Sequence, residues 1–313
     1  MHIFRHLEEV PADLGPTVVS VGNFDGVHRG HQEVVSHLVG RARAIGGMAV
    51  VVTFEPHPMR ILRPAHAPKL LTPLPIKLRL LEQTQVDTVL VLPFTRDLSL
   101  TTAHDFARLV LTDGLHAREV HEGYNFHFGH KAEGNVNTLA DLGLEMGFEV
   151  KIYPEKVLRG HHVSSSEIRT LVAEGQVGKA RALLGRPFSI VSTPGRGRGY
   201  GHQYTVPTVN LARYDELVPA HGVYITRLRV GAEAFDSVTN VGNRPTFGAD
   251  SFAIESHLLN FHPFGLQPET ELELTFLKRV RPEIKFPSVE ALREQIARDV
   301  HHAQRYFRMM KSA

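Results

Sequence analysis

The first part of the chain alternates between short apolar runs and segments in which apolar residues recur with helical spacing. Residues 17–21, 48–54 and 88–92 are runs rich in β-branched and other apolar side chains. Such runs are typical of strands that are buried on both faces of a parallel sheet. Residues 32–45 carry apolar side chains three or four positions apart, which predicts a helix that ends at the glycine pair 46–47.

The same alternation continues to about residue 185. We expect further strands at residues 118–121 and 149–153, and helices at 101–111, at 137–146 and, as two short pieces, within 164–184. Strands that alternate with helices predict a doubly wound, parallel α/β sheet.

The pattern changes after residue 185. Strand-like runs at 223–230, 235–241, 251–261 and 271–277 follow one another, and no helical pattern separates them. In the last of these runs apolar and polar residues alternate with a period of two. This order of elements predicts an antiparallel barrel or sandwich.

The chain closes with a long amphipathic pattern. Residues 289–307 carry apolar side chains three or four positions apart, which predicts one helix that packs on the barrel. A chain of 313 residues is long enough for two domains at about 150 residues each. We therefore expect one domain over residues 1–185 and a second over 186–313.

Composition excludes several classes of protein. Lys plus Arg is 35 and Asp plus Glu is 33, so the formal net charge of +2 favours neither a nucleic-acid binder nor a membrane-surface binder. The chain has no cysteine, which excludes disulfides, iron–sulfur clusters, thiolate zinc sites and a cysteine nucleophile. No apolar run approaches the ~20 residues that span a bilayer, and the first residues lack a signal-peptide core. We expect a cytoplasmic protein.

The first candidate site is the segment GNFDGVHRGH at residues 22–31, which joins the first predicted strand to the first predicted helix. In an open α/β sheet, ligands bind where strands end and helices begin. His28 and His31 lie three positions apart at the helix start, beside free backbone N–H groups and the positive end of the helix dipole. This arrangement predicts a phosphate site in which two imidazoles stabilise charge on phosphorus. The alternative is a glycine-rich turn with two surface histidines.

A second candidate phosphate contact is the segment SSSEIR at residues 164–169, which opens another predicted helix. Its hydroxyls, its free N–H groups and the guanidinium of Arg169 suit a triphosphate. The alternative is simple N-capping with a solvated arginine.

These motifs, together with TFEPHP at residues 53–58 and GYNFHFGHKAEGN at 123–135, resemble the N-terminal module of the bacterial bifunctional riboflavin kinase/FAD synthetases. The resemblance implies a Rossmann-like nucleotidyltransferase domain that adenylates FMN, in which His28 and His31 bind ATP phosphates and stabilise the transfer. Family members often carry an arginine where this chain has His161 and His162. The other residues that the resemblance implies are, for ATP, Gly22, Phe24, Asp25, Gly30, Asn125, Ser165, Ser166 and Arg169, and, for the flavin, Phe54, Pro56, His57 and Pro58.

The second part of the chain carries a glycine–arginine segment and the tetrapeptide PTVN. Glycines alternate with Arg, Tyr and His over residues 195–202, which predicts either a loop that folds over a phosphate or a basic linker. As part of the first of these alternatives, Gly197 and Gly199 of the loop are expected to bind phosphate. PTVN at residues 207–210 extends the resemblance to the family's riboflavin kinase module, an antiparallel β-barrel. It implies that Thr208 and Asn210 hold Mg²⁺ and the nucleotide phosphates, as hard oxygen ligands do.

Glu255 is the candidate catalytic base of the second domain. Periodicity places it on the strand face opposite Phe252, Ile254 and Leu258, where a solvated glutamate is the alternative. The resemblance implies that Glu255 accepts the proton of the ribityl 5′-hydroxyl during phosphoryl transfer. It also implies that Arg244 and Thr246 lie beside the flavin.

The resemblance covers nearly all of the chain and implies a bifunctional enzyme. Such an enzyme phosphorylates riboflavin with ATP to give FMN, and adenylates FMN with ATP to give FAD and pyrophosphate, with Mg²⁺ in both steps. Two other functions stay open, namely another H-x-G-H nucleotidyltransferase and a flavin-binding regulatory protein with an inactive kinase half. The partners that we expect are riboflavin, FMN and ATP, without nucleic acid or membrane. The sequence does not determine the oligomeric state.

Overall fold

Two compact units make up the chain, Met1–Ser165 and Ser166–Ala313. They are described here from a computed structural model. The structure describes residues 1–195, 208–243, 252–262 and 265–311. The strands are β1 His2–Phe4, β2 Thr17–Val21, β3 Met48–Glu55, β4 Thr88–Pro93, β5 Ala117–Gly123, β6 His127–Phe128, β7 Gly134–Asn135, β8 Glu149–Tyr153, β9 Val157–Leu158, β10 His161–His162, β11 Phe188–Ser192, β12 Thr208–Asn210, β13 Gly222–Val230, β14 Glu233–Asn243, β15 Phe252–Leu258 and β16 Leu272–Pro282. The α-helices are α1 Arg29–Ala44, α2 Pro58–Leu62, α3 Leu74–Glu82, α4 Ala103–Phe106, α5 Val136–Met146, α6 Ser165–Ala173, α7 Val177–Leu184 and α8 Val289–Lys311.

The first unit is built on a six-stranded sheet with the strand order β1-β4-β3-β2-β5-β8. All of its neighbouring strands pair in parallel, which confirms the predicted doubly wound sheet. Val18 and Val51 pack in one core with α1 and α3. Val19 and Val50 pack in the other core, with α4 and α5. Because successive residues of one strand enter different cores, the strands are apolar throughout.

The strand order reverses at β2. This strand pairs with β3 on one side and with β5 on the other. The three strands are parallel, so their carboxyl ends meet at one edge of the sheet. The crevice beyond such a reversal is the usual ligand site of an open α/β sheet.

Helices in the first unit differ from the sequence-based prediction in two respects. The helix predicted at 101–111 begins at Ala103, where the Thr102 hydroxyl accepts a hydrogen bond from the Asp105 N–H at 3.0 Å. It then continues as a π-helix over Ala107–Gly114, so the predicted end was three residues short. The short helices α2 and α3 were not predicted. Both begin at proline-rich turns, and proline in a first helical turn was not counted as a helix signal.

The second unit is built on a six-stranded antiparallel sheet with the strand order β11-β16-β13-β14-β15-β12. Its edge strands meet end to end, because Gly195 N–H donates to the Asn210 carbonyl and Ala212 N–H donates to the Thr193 carbonyl, both at 2.8 Å. The sheet is therefore curled into a barrel, as expected. The short strands β11 and β12 were not predicted.

The predicted C-terminal helix is α8, and it covers the outside of this barrel. Ala303 and Phe307 are buried against Val223 and Ile225 of β13. Arg281 of β16 forms an ion pair with the buried Asp299 of α8 at 2.8 Å. Apolar packing and this ion pair thus hold α8 on the sheet.

The helices α6 and α7 are grouped mainly with the second unit, and α7 packs on β11 and β16. The sequence analysis assigned both helices to the first domain. Compact units show which residues pack together, not where a separately folding domain ends, so the boundary at residue 185 stays a prediction.

Candidate active sites in the two units

A tight turn follows β2 in the crevice at the strand reversal. Phe24 and Val27 have positive φ values of 47° and 38°, and Gly26 between them has a φ of 82°. Positive φ is uncommon for Phe and Val because Cβ approaches the backbone. Such conformations persist only where the surroundings impose them, and they cluster at functional sites.

The carboxylate of Asp25 is what holds this turn. Asp25 is 1% exposed, and it accepts hydrogen bonds from the Leu71 N–H at 3.1 Å and from the Thr72 N–H at 2.9 Å. The Thr72 hydroxyl in turn accepts from the Gly26 N–H at 2.8 Å. Asp25 therefore positions the site, while its expected contact with ATP stays a prediction.

His28 and His31 lie side by side where α1 begins. The Nδ1 of His28 caps the helix by accepting from the His31 N–H at 3.3 Å. The two rings are stacked, with centroids 3.6 Å apart and planes inclined by 14°. Because Nδ1 of His28 is an acceptor, the proton of the neutral ring lies on Nε2, which remains a donor.

Two glycines of the motif lie close to aromatic rings of the turn, one to His28 and the other to Phe24. A Cβ on Gly30 would lie 3.2 Å from Nδ1 of His28, and a Cβ on Gly22 would lie 3.3 Å from the Phe24 ring. A side chain at either position would require the neighbouring ring to shift by a few tenths of an ångström.

His31 carries a nitrogen that the described protein residues do not satisfy. Its ring lies 5.0 Å from the Phe24 ring, and its Nδ1 is buried without a hydrogen-bond partner among the described residues. Burial holds the pKa of His31 well below 6.5, and the nearby His28 and Lys77 lower it further. Buried polar atoms are nearly always paired, so this nitrogen suits a ligand.

The neighbouring strand β5 ends at the same edge. Its Glu122 is buried and accepts a hydrogen bond from the Val21 N–H of β2 at 2.6 Å. Burial raises the pKa of Glu122 well above 4.5, although the Val21 N–H acts against the shift. Asn125 follows two residues after β5 and is exposed, so it lies at the same sheet edge as the histidine turn.

The serine segment reaches this turn through its first helical residue. Ser165 Oγ donates to the Asp25 carbonyl at 2.9 Å. Ser166 and Arg169 belong to the second unit, and their contact with a triphosphate stays a prediction.

The segment expected to contact the flavin begins at the end of β3 and continues into α2. Phe54 packs edge-on against Phe94, with centroids 5.6 Å apart. Pro56 comes next, and the buried His57 caps α2 by accepting from the Met59 N–H at 3.2 Å. Pro58 is the first residue of α2. The contact of this segment with flavin stays a prediction.

Lys77 is a site residue that the sequence analysis missed. It lies on α3, is 5% exposed, and its Nζ donates to the Thr53 hydroxyl at 3.1 Å. Leu74, Leu78 and Leu81 of the same helix pack in the core beneath the turn. A lysine within this apolar stripe was the available signal, because lysine is almost never fully buried without a reason.

The candidate kinase site lies on one face of the barrel. In the strand register Asn210 of β12 and Asn240 of β14 are both paired with Glu255 of β15, one on each side. Thr208 lies on the same face as Asn210, two residues earlier, and is paired with His257. The set offers hydroxyl, amide and carboxylate oxygens, which are the donors that Mg²⁺ prefers. Asn240 was not predicted.

Glu255 lies on the predicted face of its strand. Ile254 and Leu258 point the other way and are 2% and 1% exposed, whereas Glu255 is half-buried. Phe252, which was expected in the apolar row, is 37% exposed because it begins the strand. Four further predicted residues lie outside the described residues, and their roles stay predictions: Gly197, Gly199, Arg244 and Thr246.

A compact metal-binding cluster is not seen in the described part of the chain, since no three His, Asp or Glu side chains are grouped to hold a metal. The Thr208–Asn210–Glu255 face, with one carboxylate, fits an ion that is also held by nucleotide phosphates and water.

A parallel sheet with a candidate phosphate site at a helix terminus, followed by a barrel with an oxygen-lined face, is the arrangement expected of a nucleotide-dependent transferase in two parts. The FAD synthetase family model matches residues 10–167, and the riboflavin kinase family model matches residues 184–307. The chain belongs to the family of bifunctional riboflavin kinase/FMN adenylyltransferases.

Full-length relatives of that description support the assignment. The chain is 35% identical to the one from Pseudomonas fluorescens, with 97% of each chain covered. It is 33% identical to those from Haemophilus influenzae, over 98% of this chain and 99% of the relative, and from Escherichia coli K12, over 95% and 94%.

A solved structure from Streptococcus pneumoniae, described as a macrolide-efflux protein, matches with a TM-score of 0.86 and 25% identity over 96% of this chain and 98% of the other. In the chain as described here, no helix is both long enough and apolar enough to cross a bilayer.

The lowered pKa of His31 predicts an acid-sensitive first unit. Below about pH 6.5 the unfolded chain protonates this histidine while the folded chain does not, so the free energy of unfolding falls as the pH falls. We expect His31→Gln to reduce this slope by up to about 1.4 kcal/mol per pH unit. Urea unfolding between pH 7 and 5.5 measures it, and an unchanged slope would contradict the burial of the neutral ring.

Proposed function

We propose that each unit carries one activity, with FMN adenylylation at the turn after β2 and riboflavin phosphorylation beside Glu255. The chain is a bifunctional enzyme of flavin-cofactor synthesis that makes FMN from riboflavin and FAD from FMN, with ATP as the co-substrate of both steps. The observation that carries the proposal for the first unit is the stacked His28–His31 pair at the start of α1. For the second unit it is the register that pairs Glu255 with Asn210 and Asn240.

In adenylyl transfer, an oxygen of the FMN phosphate attacks the α-phosphorus of ATP and pyrophosphate leaves. Negative charge develops on the oxygens of that phosphorus. The Nε2–H of His28, the ring of His31 and the first N–H groups of α1 stabilise this charge. Because Asp25 and the helix cap already hold these groups in place, little reorganisation is needed when the charge appears.

In riboflavin phosphorylation, the 5′-hydroxyl of the ribityl chain attacks the γ-phosphorus of ATP, and ADP leaves with the electron pair of the bond that breaks. Glu255 accepts the hydroxyl proton, and pairing of β15 with β12 and β14 fixes the position of its strand. We propose Mg²⁺ as the metal, held by Thr208 and Asn210, and it supplies positive charge to the transferring phosphate. No covalent enzyme intermediate is needed in either step.

Of the alternatives, another H-x-G-H nucleotidyltransferase has no need of a riboflavin kinase module. An inactive regulatory protein has no need of Thr208, Asn210 and Glu255 together on one face. A cytoplasmic location belongs to this proposal, because both reactions consume ATP.

Both activities are tested on one sample. The protein is incubated with riboflavin, ATP and Mg²⁺, and the flavins are separated by chromatography over time. We expect FMN first and FAD later. Absence of conversion, even when FMN is supplied, would contradict an active enzyme and favour a flavin-binding protein.

His31→Ala is expected to lower FAD formation from FMN by about 100-fold or more, as the loss of one group that stabilises transition-state charge does. FMN formation from riboflavin should continue at the wild-type rate, since it depends on groups of the other unit. The same chromatographic assay measures both. Loss of both activities in a folded variant would rule out two separate sites.

Glu255→Ala is expected to have the opposite effect. Riboflavin phosphorylation should fall by about 100-fold or more because general-base catalysis is lost. Added FMN should still be adenylated at the wild-type rate. If riboflavin is phosphorylated as fast as by the wild type, Glu255 is not the base.

A further inference from the structure

The ammonium group of Lys77 has unused hydrogen-bonding capacity inside the first unit. The side chain is 5% exposed, and its one hydrogen bond among the described residues goes to the Thr53 hydroxyl. An ammonium group has three N–H donors, so two of them have no acceptor in the described protein. Burying a cation is costly unless it is paired with an anion.

The carboxylates nearest to Lys77 do not pair with it directly. Asp25 and Glu55 are close enough to raise the pKa of Lys77 against the larger effect of burial, which lowers it. Neither forms an ion pair with Lys77 among the described residues. Asp25 is already engaged by the Leu71 and Thr72 N–H groups.

Lys77 also lies near the histidine pair. Its charge is among the causes that lower the pKa of His31, and Nδ1 of His31 is itself buried without a partner among the described residues. The Lys77 ammonium and Nδ1 of His31 therefore lie in one site, and both have hydrogen-bonding capacity that the described residues do not use. A ligand with phosphate oxygens would complete both.

We propose that Lys77 binds the phosphate of FMN, the acceptor in adenylyl transfer. The inference rests on the function proposed for this unit. Two anionic phosphates must meet in the reaction, and a cation between them offsets their repulsion. The triphosphate is expected at the start of α1. Lys77 instead contacts Thr53, which directly precedes the Phe54–Pro58 segment assigned to the flavin side.

Lys77 takes no covalent part in the step. The bond that forms joins an FMN phosphate oxygen to the α-phosphorus, and the bond that breaks joins that phosphorus to pyrophosphate, which leaves with the electron pair. The ammonium keeps its protons and donates hydrogen bonds to the acceptor phosphate.

A purely structural role is the competing explanation. The Thr53 hydroxyl that accepts from Lys77 also donates to the Asn23 carbonyl at 3.2 Å, so Lys77 could act by holding the turn after β2. Thr53→Val removes this link and leaves the ammonium in place. The two roles therefore differ in their effect on Thr53→Val.

The test compares steady-state adenylylation by Lys77→Met, Lys77→Arg and Thr53→Val with the wild type. Lys151→Met, at an exposed lysine on β8 of the same unit, is the matched control. For Lys77→Met we expect kcat/KM for FMN to fall by about 100-fold or more, the KM for ATP to stay within about threefold, and riboflavin phosphorylation to be unchanged. Lys77→Arg should recover at least about tenfold over Lys77→Met, Thr53→Val should lose less than about tenfold, and Lys151→Met should match the wild type.

Three results would each overturn the proposal: adenylylation by Lys77→Met within threefold of the wild type, an equal loss in Thr53→Val, or an equal rise in the KM for ATP. If Lys77→Met fails to fold, Lys77→Gln replaces it under the same criteria. A wild-type protein that makes no FAD from FMN would instead contradict the function proposed for the unit.

Discussion

The hydrogen bonds accepted by the Asp25 carboxylate support the rest of the nucleotide site. By binding the Leu71 and Thr72 N–H groups, one buried side chain fixes a turn in which two large residues have positive φ. That turn determines where α1 begins, and the start of α1 determines where His28 and His31 stack. Asp25 thus acts on the backbone of the turn, and the backbone positions the imidazoles.

The two units place their reactive groups by different physical means. In the first, a helix terminus supplies N–H donors and a favourable dipole, so the site is suited to a negatively charged phosphate. In the second, Glu255 has a neighbouring strand on each side, and its position follows from the ladder of backbone hydrogen bonds. The base proposed here must lie within hydrogen-bond reach of a substrate hydroxyl, and a strand inside a sheet holds a side chain at a fixed position.

Much of the fold was predictable from sequence because apolar periodicity or short motifs mark its elements. The central strands, α1, α5 and α8 follow apolar spacing, and the H-x-G-H motif lies between the predicted first strand and first helix, as expected. Strands of three residues such as β1 and β12 carry too few positions to show a period, and the helices α2 and α3, which begin at proline, were not predicted. Lys77 was not predicted as a site residue because its role depends on its burial. That burial depends on how α3 packs on β3. Asn240 was not predicted because only the strand register shows that it is paired with Glu255.

The joining of β11 to β12 has a consequence for the protein in solution. The hydrogen bonds of Gly195 and Ala212 engage backbone groups at the ends of both outer strands. Outer strands with unpaired amides are templates on which another chain adds a strand, which is how many β-proteins aggregate. Where β11 and β12 meet, these backbone groups are already hydrogen-bonded within the barrel. The strand that carries Thr208 and Asn210 is thereby protected at this end from pairing with a foreign chain.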